Sequence, residues 1–431
     1  MAFPRSRWVR DKSVYAESAA HLGGSTVPSD SSLARINHAS MLVPARATLI
    51  VFAFLAGPLI SVLFLEALFR SFPLLLPLPS EQKEAAWREA HRASNERVKN
   101  NERTFDRFSP ELGWELQPNL RTPALNSNSK GIRGTREYSL NRLPGTRRIL
   151  ALGDSFMFGE NLADTETFPA QLETYLQPDG AWEVLNLGVH GYGLDQQWLR
   201  LQRFGFQYGA DLVLMGIYED DILRTTLKFR DYAKPYFELS EGRLVLRNSP
   251  VPSPERILAS PMQFDTCRVR IGCLTQTAFE KIQRALPGIS LEHTRAGAVS
   301  IRILDAARLA TLERGVRLMV MMIPNQKFDQ APSKEELLVS RWAKRTGTPL
   351  VNLREAYLEL PANERQKLYV GHWTPYGAAV TASLVAPRVT EAVSRGASDN
   401  GWPAQNGARL GQINLSPLEG KARWIGQDRF E

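Results

Sequence analysis

From Arg147 onward, short apolar runs alternate with longer stretches of helical spacing. Strand-like runs fall at Ile149–Leu152, Glu183–Leu187, Leu212–Gly216, Val316–Ile323 and Leu350–Leu353. Helical patterns lie between and after them, at Phe168–Leu176, Asp195–Tyr208, Ala296–Glu313, Lys334–Thr346 and Pro375–Val393. The stretch Arg148-Ile149-Leu150-Ala151-Leu152 is apolar on consecutive positions, as a strand covered on both faces must be. Strands alternating with helices predict βαβ units. Parallel crossovers are right-handed, so five such strands predict a three-layer α/β domain over residues 146–395 around a parallel five-stranded sheet.

The alternation breaks between Ile222 and Arg295. That stretch holds Pro235, Pro250, Pro252, Pro254, Pro261 and Pro287. It is far longer than an ordinary connection, which predicts a lid or subdomain over 222–295. It starts just after the third strand. The tail from Gly396, with Asn400-Gly401-Trp402-Pro403, has the composition of a flexible terminus.

Upstream, the 19 residues Ala47 to Leu65 carry no charge, enough to span the hydrocarbon of a bilayer. Pro58 near the centre is tolerated better in a membrane helix than in a buried soluble one. Arg5, Arg7, Arg10, Lys12, Arg35 and Arg46 precede the run, which predicts a cytoplasmic segment over 1–46 and an extracytoplasmic remainder. A cleaved signal peptide is the rival reading. The run is long for one, and Leu65-Glu66-Ala67-Leu68-Phe69-Arg70 is no small-residue cleavage site. An anchor over 47–72 is therefore expected. Glu81 to Arg107 is dense in charge and amide, which predicts an exposed helix or stalk. It opens a lead-in over 80–145 that is irregular apart from a short strand.

Net charge is +8 over 431 residues, but the Lys and Arg are scattered and no basic stripe is interleaved with aromatics. A nucleic-acid partner is not indicated. The surplus suits a solvated surface near an anionic membrane or polymer. Cys267 and Cys273 are the only two cysteines, too few for a tetrahedral structural zinc site. Outside the cytoplasm they could close a small disulfide; two unpaired thiols is the alternative.

Candidate chemistry sits at the end of the first domain strand, in Gly153-Asp154-Ser155 followed by Gly159. In open α/β sheets ligands bind beyond the carboxyl ends of the strands, which is where Ser155 falls. The plain alternative is a turn serine that caps the next helix. A serine nucleophile needs a base, and a histidine titrates near working pH. Of six histidines, His21 and His38 precede the apolar run, His91 lies in the stalk and His293 in the insertion. His190 lies in the loop after the second strand. His372 lies just ahead of the last helix, in Gly371-His372-Trp373-Thr374-Pro375, also at the carboxyl edge of the sheet. Ser155 and His372 are thus expected to meet. The loop Asn186-Leu187-Gly188-Val189-His190-Gly191 is rich in glycine, which lets backbone amides approach a ligand. The loop after the third strand carries Glu219, Asp220 and Asp221.

Gly153-Asp154-Ser155 with Gly159, Asn186-x-Gly188-x-x-Gly191, an acidic block after strand three, and Gly371-His372-Trp373 together resemble the SGNH (GDSL) hydrolase superfamily. The likeness covers about residues 140–395. It is closest to a membrane-anchored bacterial branch with an Asn-Ser-x-Gly-x-Arg segment, here Asn128-Ser129-Lys130-Gly131-Ile132-Arg133. The resemblance implies a flavodoxin-like three-layer sandwich that requires no metal or cofactor. It implies Ser155 as nucleophile, His372 as base, and the amides of Ser155 and Gly191 as oxyanion donors. Two positions depart from the family pattern. The third block normally supplies an Asn donor, where this chain has Glu219, Asp220 and Asp221; a carboxylate only accepts unless protonated. The Asp expected two or three residues before the histidine is replaced by Val370 and Tyr369. A carboxylate from another loop would orient His372 instead, with the three acids after strand three among the candidates.

The reading that follows is a serine esterase on the bacterial inner membrane, its catalytic domain periplasmic. It would act on O-acyl groups, foremost O-acetyl, of cell-envelope glycans. The rivals are a decayed module that binds glycan or an envelope partner, and an O-acyltransferase.

Overall fold

The computed structural model describes residues 45–72, 75–99, 105–260, 269–286 and 288–394. The expected cytoplasmic segment up to residue 44, the tail from 396 and Cys267 lie outside them. Contacts divide the chain into two units, Met1–Ile60 and Ser61–Glu431. Helix α1 (Ala45–Ser71) carries the expected apolar run, with Pro58 inside it. Its part Phe52–Ser71 is long and apolar enough to cross a membrane and is not buried in the protein.

Helix α2 (Pro79–Lys99) corrects the expectation of an exposed stalk. Glu81 and Glu84 are wholly buried, and Trp87 and Arg88 nearly so. Arg88 donates to Glu84 at 2.6 and 2.8 Å and to the Ile257 carbonyl at 2.6 Å. The Trp87 ring meets Phe229 edge-on at 5.5 Å. Charges that pair with one another lose their need for water, so a polar composition can conceal a packed face.

A hairpin follows, β1 (Asp106–Ser109) against β2 (Gly113–Leu116), antiparallel with Phe108 opposite Trp114. The domain then runs β3 (Arg147–Leu152), α3 (Ser155–Phe158), α4 (Phe168–Leu176), β4 (Trp182–Asn186), α5 (Leu194–Arg203) and β5 (Leu212–Tyr218). Helix α6 (Glu219–Arg224) leads into the insertion, which holds an antiparallel hairpin of β6 (Tyr236–Ser240) and β7 (Arg243–Arg247), α7 (Pro254–Ala259) and α8 (Arg270–Ala285). The segment carries secondary structure of its own. Within it Cys273 is disulfide-bonded. The chain closes with α9 (Arg295–Glu313), β8 (Arg317–Ile323), α10 (Lys334–Thr346), β9 (Leu350–Asn352), α11 (Leu353–Leu358), α12 (Ala362–Arg365), a two-stranded ribbon of β10 (Tyr369–Val370) and β11 (His372–Trp373), and α13 (Pro375–Ser394).

The central sheet is parallel, ordered β4-β3-β5-β8-β9. Numbered within the sheet, that is 2-1-3-4-5, the flavodoxin-like order, which reverses direction at β3. Side chains of β3 alternate between two cores. Leu150 and Leu152 face Trp198, Ile303 and Trp342 of α5, α9 and α10. Ile149 and Ala151 face Phe168, Tyr357 and Val385 of α4, α11 and α13. Both faces of the sheet are thereby covered, which is why the strand reads as an unbroken apolar run. The residue that follows β3 emerges at the switch point, where a crevice forms.

Candidate functional site

Ser155 is the first residue of α3, at the carboxyl end of β3. Asp154 caps that turn: its Oδ1 accepts the Phe156 amide at 3.0 Å. Gly159 closes the turn in the left-handed conformation, φ 88°. A residue 217 positions away completes the pair, with His372 Nε2 at 2.9 Å from Ser155 Oγ. That is within proton-transfer reach for a serine and its base. Ser155 is 8% exposed, and His372 is half-buried. The imidazole packs against the Phe156 ring at 5.0 Å, and Phe156 in turn against Tyr218 at 4.9 Å and Trp373 at 5.0 Å.

The loop after β4 is locked to the serine turn. Asn186 Oδ1 accepts the Gly188 amide at 3.1 Å while its Nδ2 donates to the Phe158 carbonyl at 3.2 Å. A side chain at Gly188 would run into the backbone of Phe158 and Met157, at 2.4 and 2.7 Å; only glycine lets the two loops meet. Gly191 has φ +74°, and a Cβ there would fall 2.1 Å from Asp231 Oδ2. Among the described residues, the amides of Ser155 and Gly191 donate to no protein acceptor.

The three acids after β5 do not hold His372, which corrects the expectation that one of them could. Each is committed elsewhere. Glu219 accepts from the Asn325 side chain at 2.7 Å. Asp220 is largely exposed, 3.8 Å from Arg224. Asp221 is wholly buried and accepts from Gln197 at 2.9 Å, from the Tyr218 amide at 3.1 Å and from Arg224 at 2.8 Å. The Ser155 contact is the only hydrogen bond of the His372 side chain among the described residues. The imidazole of the pair is held by packing on Phe156 and by the β10–β11 ribbon.

Arg224 is the side chain that sequence reasoning missed. Its Nη1 lies 2.9 Å from Asp154 Oδ2, beneath Ser155, and 3.0 Å from the Tyr192 carbonyl. A signal existed: Asp220, Asp221 and Arg224 stand four and three apart on one short helix, the spacing of intrahelical ion pairs. Burial works against the Arg224 charge, but Asp221 and Asp154 outweigh it and hold the guanidinium above its ordinary value. The Asp221 carboxyl is pushed well above its usual range by burial, with the Asp154 charge adding to the effect and Arg224 opposing it.

Arg133, from the Asn-Ser-x-Gly-x-Arg segment, braces the far side of the serine turn. It donates to the carbonyls of Phe158 at 2.7 Å, Gly159 at 2.6 Å and Leu162, and pairs with Asp164 at 3.0 Å. Asn128 shapes the preceding turn by accepting the Lys130 and Ile132 amides at 2.9 and 3.0 Å. His190 is not paired with Ser155. Its Nε2 lies 2.8 Å from Asp106 Oδ2, and Tyr232 donates to the same oxygen at 3.2 Å. Burial opposes the imidazolium, but the Asp106 hydrogen bond and charge prevail and raise His190 above its ordinary value.

Among the described residues, no group of three or more His, Cys, Asp or Glu is placed to hold a metal ion. A cavity of about 820 Å³ lies away from this site, lined by Asp211, Arg314 and Arg317 among others. Those residues stand at the amino ends of β5 and β8, so it is the opposite edge of the sheet from Ser155.

No family model and no curated protein matches the chain. Solved structures do, and several are described as SGNH or GDSL hydrolases. TesA is 14% identical, with 57% of this chain and 99% of that one covered and a TM-score of 0.35. AlinE4, an SGNH-hydrolase family esterase, is 19% identical over 58% and 98%, with a TM-score of 0.31. A GDSL-like lipase from Bacteroides thetaiotaomicron is 12% identical over 57% and 89%, with a TM-score of 0.32. Similarity at that level adds nothing to the geometry: the fold stands on its strand order and the site on its own distances.

Proposed function

We propose that the chain is a membrane-anchored serine esterase of the SGNH type. It would cleave O-acyl esters, foremost O-acetyl, on cell-envelope glycans at the periplasmic face of a bacterial inner membrane. The observation that carries the reading is the 2.9 Å contact between Ser155 Oγ and His372 Nε2, made across 217 residues of chain. A serine that merely capped its helix would need no imidazole. Location rests on the apolar helix α1 and on the Lys and Arg that precede it. The glycan substrate rests on that location and on the resemblance.

In this reading His372 takes the Ser155 proton as Oγ attacks the ester carbonyl carbon. Negative charge gathers on the carbonyl oxygen, where the amides of Ser155 and Gly191 would receive it. The carbon–oxygen bond to the sugar breaks, and the imidazolium returns its proton to the departing hydroxyl. Water then attacks the acyl-serine, His372 takes its proton, and the acid leaves as Ser155 is regenerated. A sugar hydroxyl in place of that water makes the same site an acyltransferase.

One observation favours a second reading. Among the described residues His372 has no carboxylate partner, and an orienting acid contributes as much as about 10⁴ in rate where tested. A decayed module that binds glycan would tolerate that loss. Full-length protein in detergent, treated with a fluorophosphonate probe and with p-nitrophenyl acetate, separates the two. Labelling and turnover that vanish in Ser155→Ala support the esterase. Wild-type protein that neither labels nor turns over supports the binder, and acetylated acceptor among the products supports transfer.

A further inference from the structure

Helix α8 is tied at its first turn to the end of α1. Glu66 accepts the backbone amides of Arg270 at 2.8 Å and Ile271 at 2.9 Å. A carboxylate at a helix N-terminus satisfies orphan donors and the helix dipole together. Arg270 is fully buried, with two bonds to Glu81 at 2.6 and 2.7 Å and one to the Leu76 carbonyl at 3.1 Å. Glu66 is the first charged residue after the apolar run Ala47–Leu65. In a spanning helix that position is where hydrocarbon gives way to headgroups, so α8 begins at that level.

From there α8 continues for 16 residues, about 24 Å at the α-helical rise. Its outer face carries Phe279 and Ile282, exposed by 58% and 55%, and Leu286, the residue just past its end, is exposed by 47%. Phe279 and Ile282 stand three apart on one face, and Leu286 extends that apolar stripe past the helix end. Lys281, also exposed, adjoins it. Large apolar side chains bared in series on a helix require a covering. The same block carries the catalytic rim. Ser80 accepts the Lys228 amide at 3.0 Å, Trp87 packs on Phe229 and Tyr232, and Tyr232 leads through Asp106 to His190, next to Gly191.

We infer that α8 lies in the interfacial layer of the membrane that α1 crosses, with Phe279, Ile282 and Leu286 seated among headgroups and upper acyl carbons. The occupant of the stripe is lipid because the start of α8 is fixed to the residue that closes the apolar span. An amphipathic helix with a nearby lysine binds such a layer through buried apolar area and anionic headgroups. The inference rests on the reading of α1 as an anchor and not on the esterase chemistry.

The test uses the full chain in vesicles of phosphatidylethanolamine and phosphatidylglycerol carrying a radiolabelled phosphatidylethanolamine. A photoreactive benzoylphenylalanine replaces Phe279 or Ile282, with Leu55 of α1 as membrane control and Asn363 of α12 as solvent control. Melting curves like wild type establish that each variant folds. Lipid transfer at 279 and 282 on the order of tenfold above 363 is the expected result for an interfacial helix. Transfer at 279 and 282 no greater than at 363, with Leu55 labelled, overturns the docking and leaves the anchor standing. A control at Leu55 that also fails to label removes the anchor, and the docking with it.

Discussion

Arg224 Nη1 lies 2.9 Å from Asp154 Oδ2 and 2.8 Å from Asp221 Oδ1, and both carboxylates are wholly buried. One cation thus answers two buried carboxyl groups directly under Ser155. Losing it would strand both groups in the interior, where water cannot reach them. Arg224→Leu is expected to cost about 3–5 kcal/mol of stability, as for other broken buried pairs. Arg224→Lys should recover part of it, since an ammonium keeps the charge and loses the guanidinium's planar fork. Urea unfolding of the two variants beside wild type measures both effects. Equal stability of Arg224→Leu and wild type would refute the assigned role.

Asp221 and His190 make stability depend on pH in the same direction. Each is held above its ordinary value in the folded protein. The folded state therefore binds protons more tightly than the unfolded one. Each contribution is full below the unfolded value and is lost as pH rises through the folded one. For His190 the decline begins near the ordinary imidazole value of about 6.5. The groups facing it are Asp106 at 2.8 Å and Asp231 at 4.0 Å, with Tyr232 on Asp106. Unfolding free energy measured from pH 6 upward should fall for wild type and fall less for His190→Gln. Parallel curves would show that His190 titrates alike in both states.

Gly191 separates fold from chemistry. Its φ of +74° strains any L side chain, and a would-be Cβ falls 2.1 Å from the Asp231 carboxylate. Asp231 and Arg230 are partly exposed side chains and can move aside, so the strain falls on the loop and its amide. If that amide serves the oxyanion, Gly191→Ala should lower kcat for p-nitrophenyl acetate by roughly 10²–10³, the effect of one lost donor. KM should change little, because the donor acts on charge that develops in the transition state. A kcat within twofold of wild type, in a variant that still melts cooperatively, would move the donor elsewhere.

Much of this architecture is legible in the order of residues alone. The five strands are covered on both faces, and that covering forces contiguous apolar residues that no helix interrupts. Ser155 and His372 stand out because strand ends share one edge of the sheet, so loops far apart in sequence must converge. What stays hidden depends on pairing across sequence distance. Glu81 and Arg270 are buried by each other, yet each alone looks like a surface residue. Asp106 and His190 meet through a hairpin and a loop 84 positions apart, a separation that leaves no periodic trace. Arg133 stands in a recognisable segment, but its grip on the serine turn depends on where the fold places three carbonyls.

The missing acid leaves the last prediction, and the ribbon before α13 makes it specific. Val370 and His372 are cross-strand partners in β10 and β11, joined by Gly371 at φ +72°. Directly opposed residues on an antiparallel pair have Cβ atoms about 4.5–5.5 Å apart, close enough for a carboxylate to meet an imidazole nitrogen. Val370 is 61% exposed, so a charge there carries little desolvation cost. Val370→Asp should therefore supply the orienting partner that His372 lacks among the described residues and raise kcat, by as much as about 10² if a partly solvated acid achieves half of the logarithmic gain seen for buried ones. Val370→Asn, which fills the same space without the charge, should stay near wild type. The comparison is made on p-nitrophenyl acetate, with Ser155→Ala on the Val370→Asp background returning the rate to zero. A Val370→Asp variant no faster than Val370→Asn would mean that packing against Phe156 already fixes the imidazole, and that the dyad is complete as it stands.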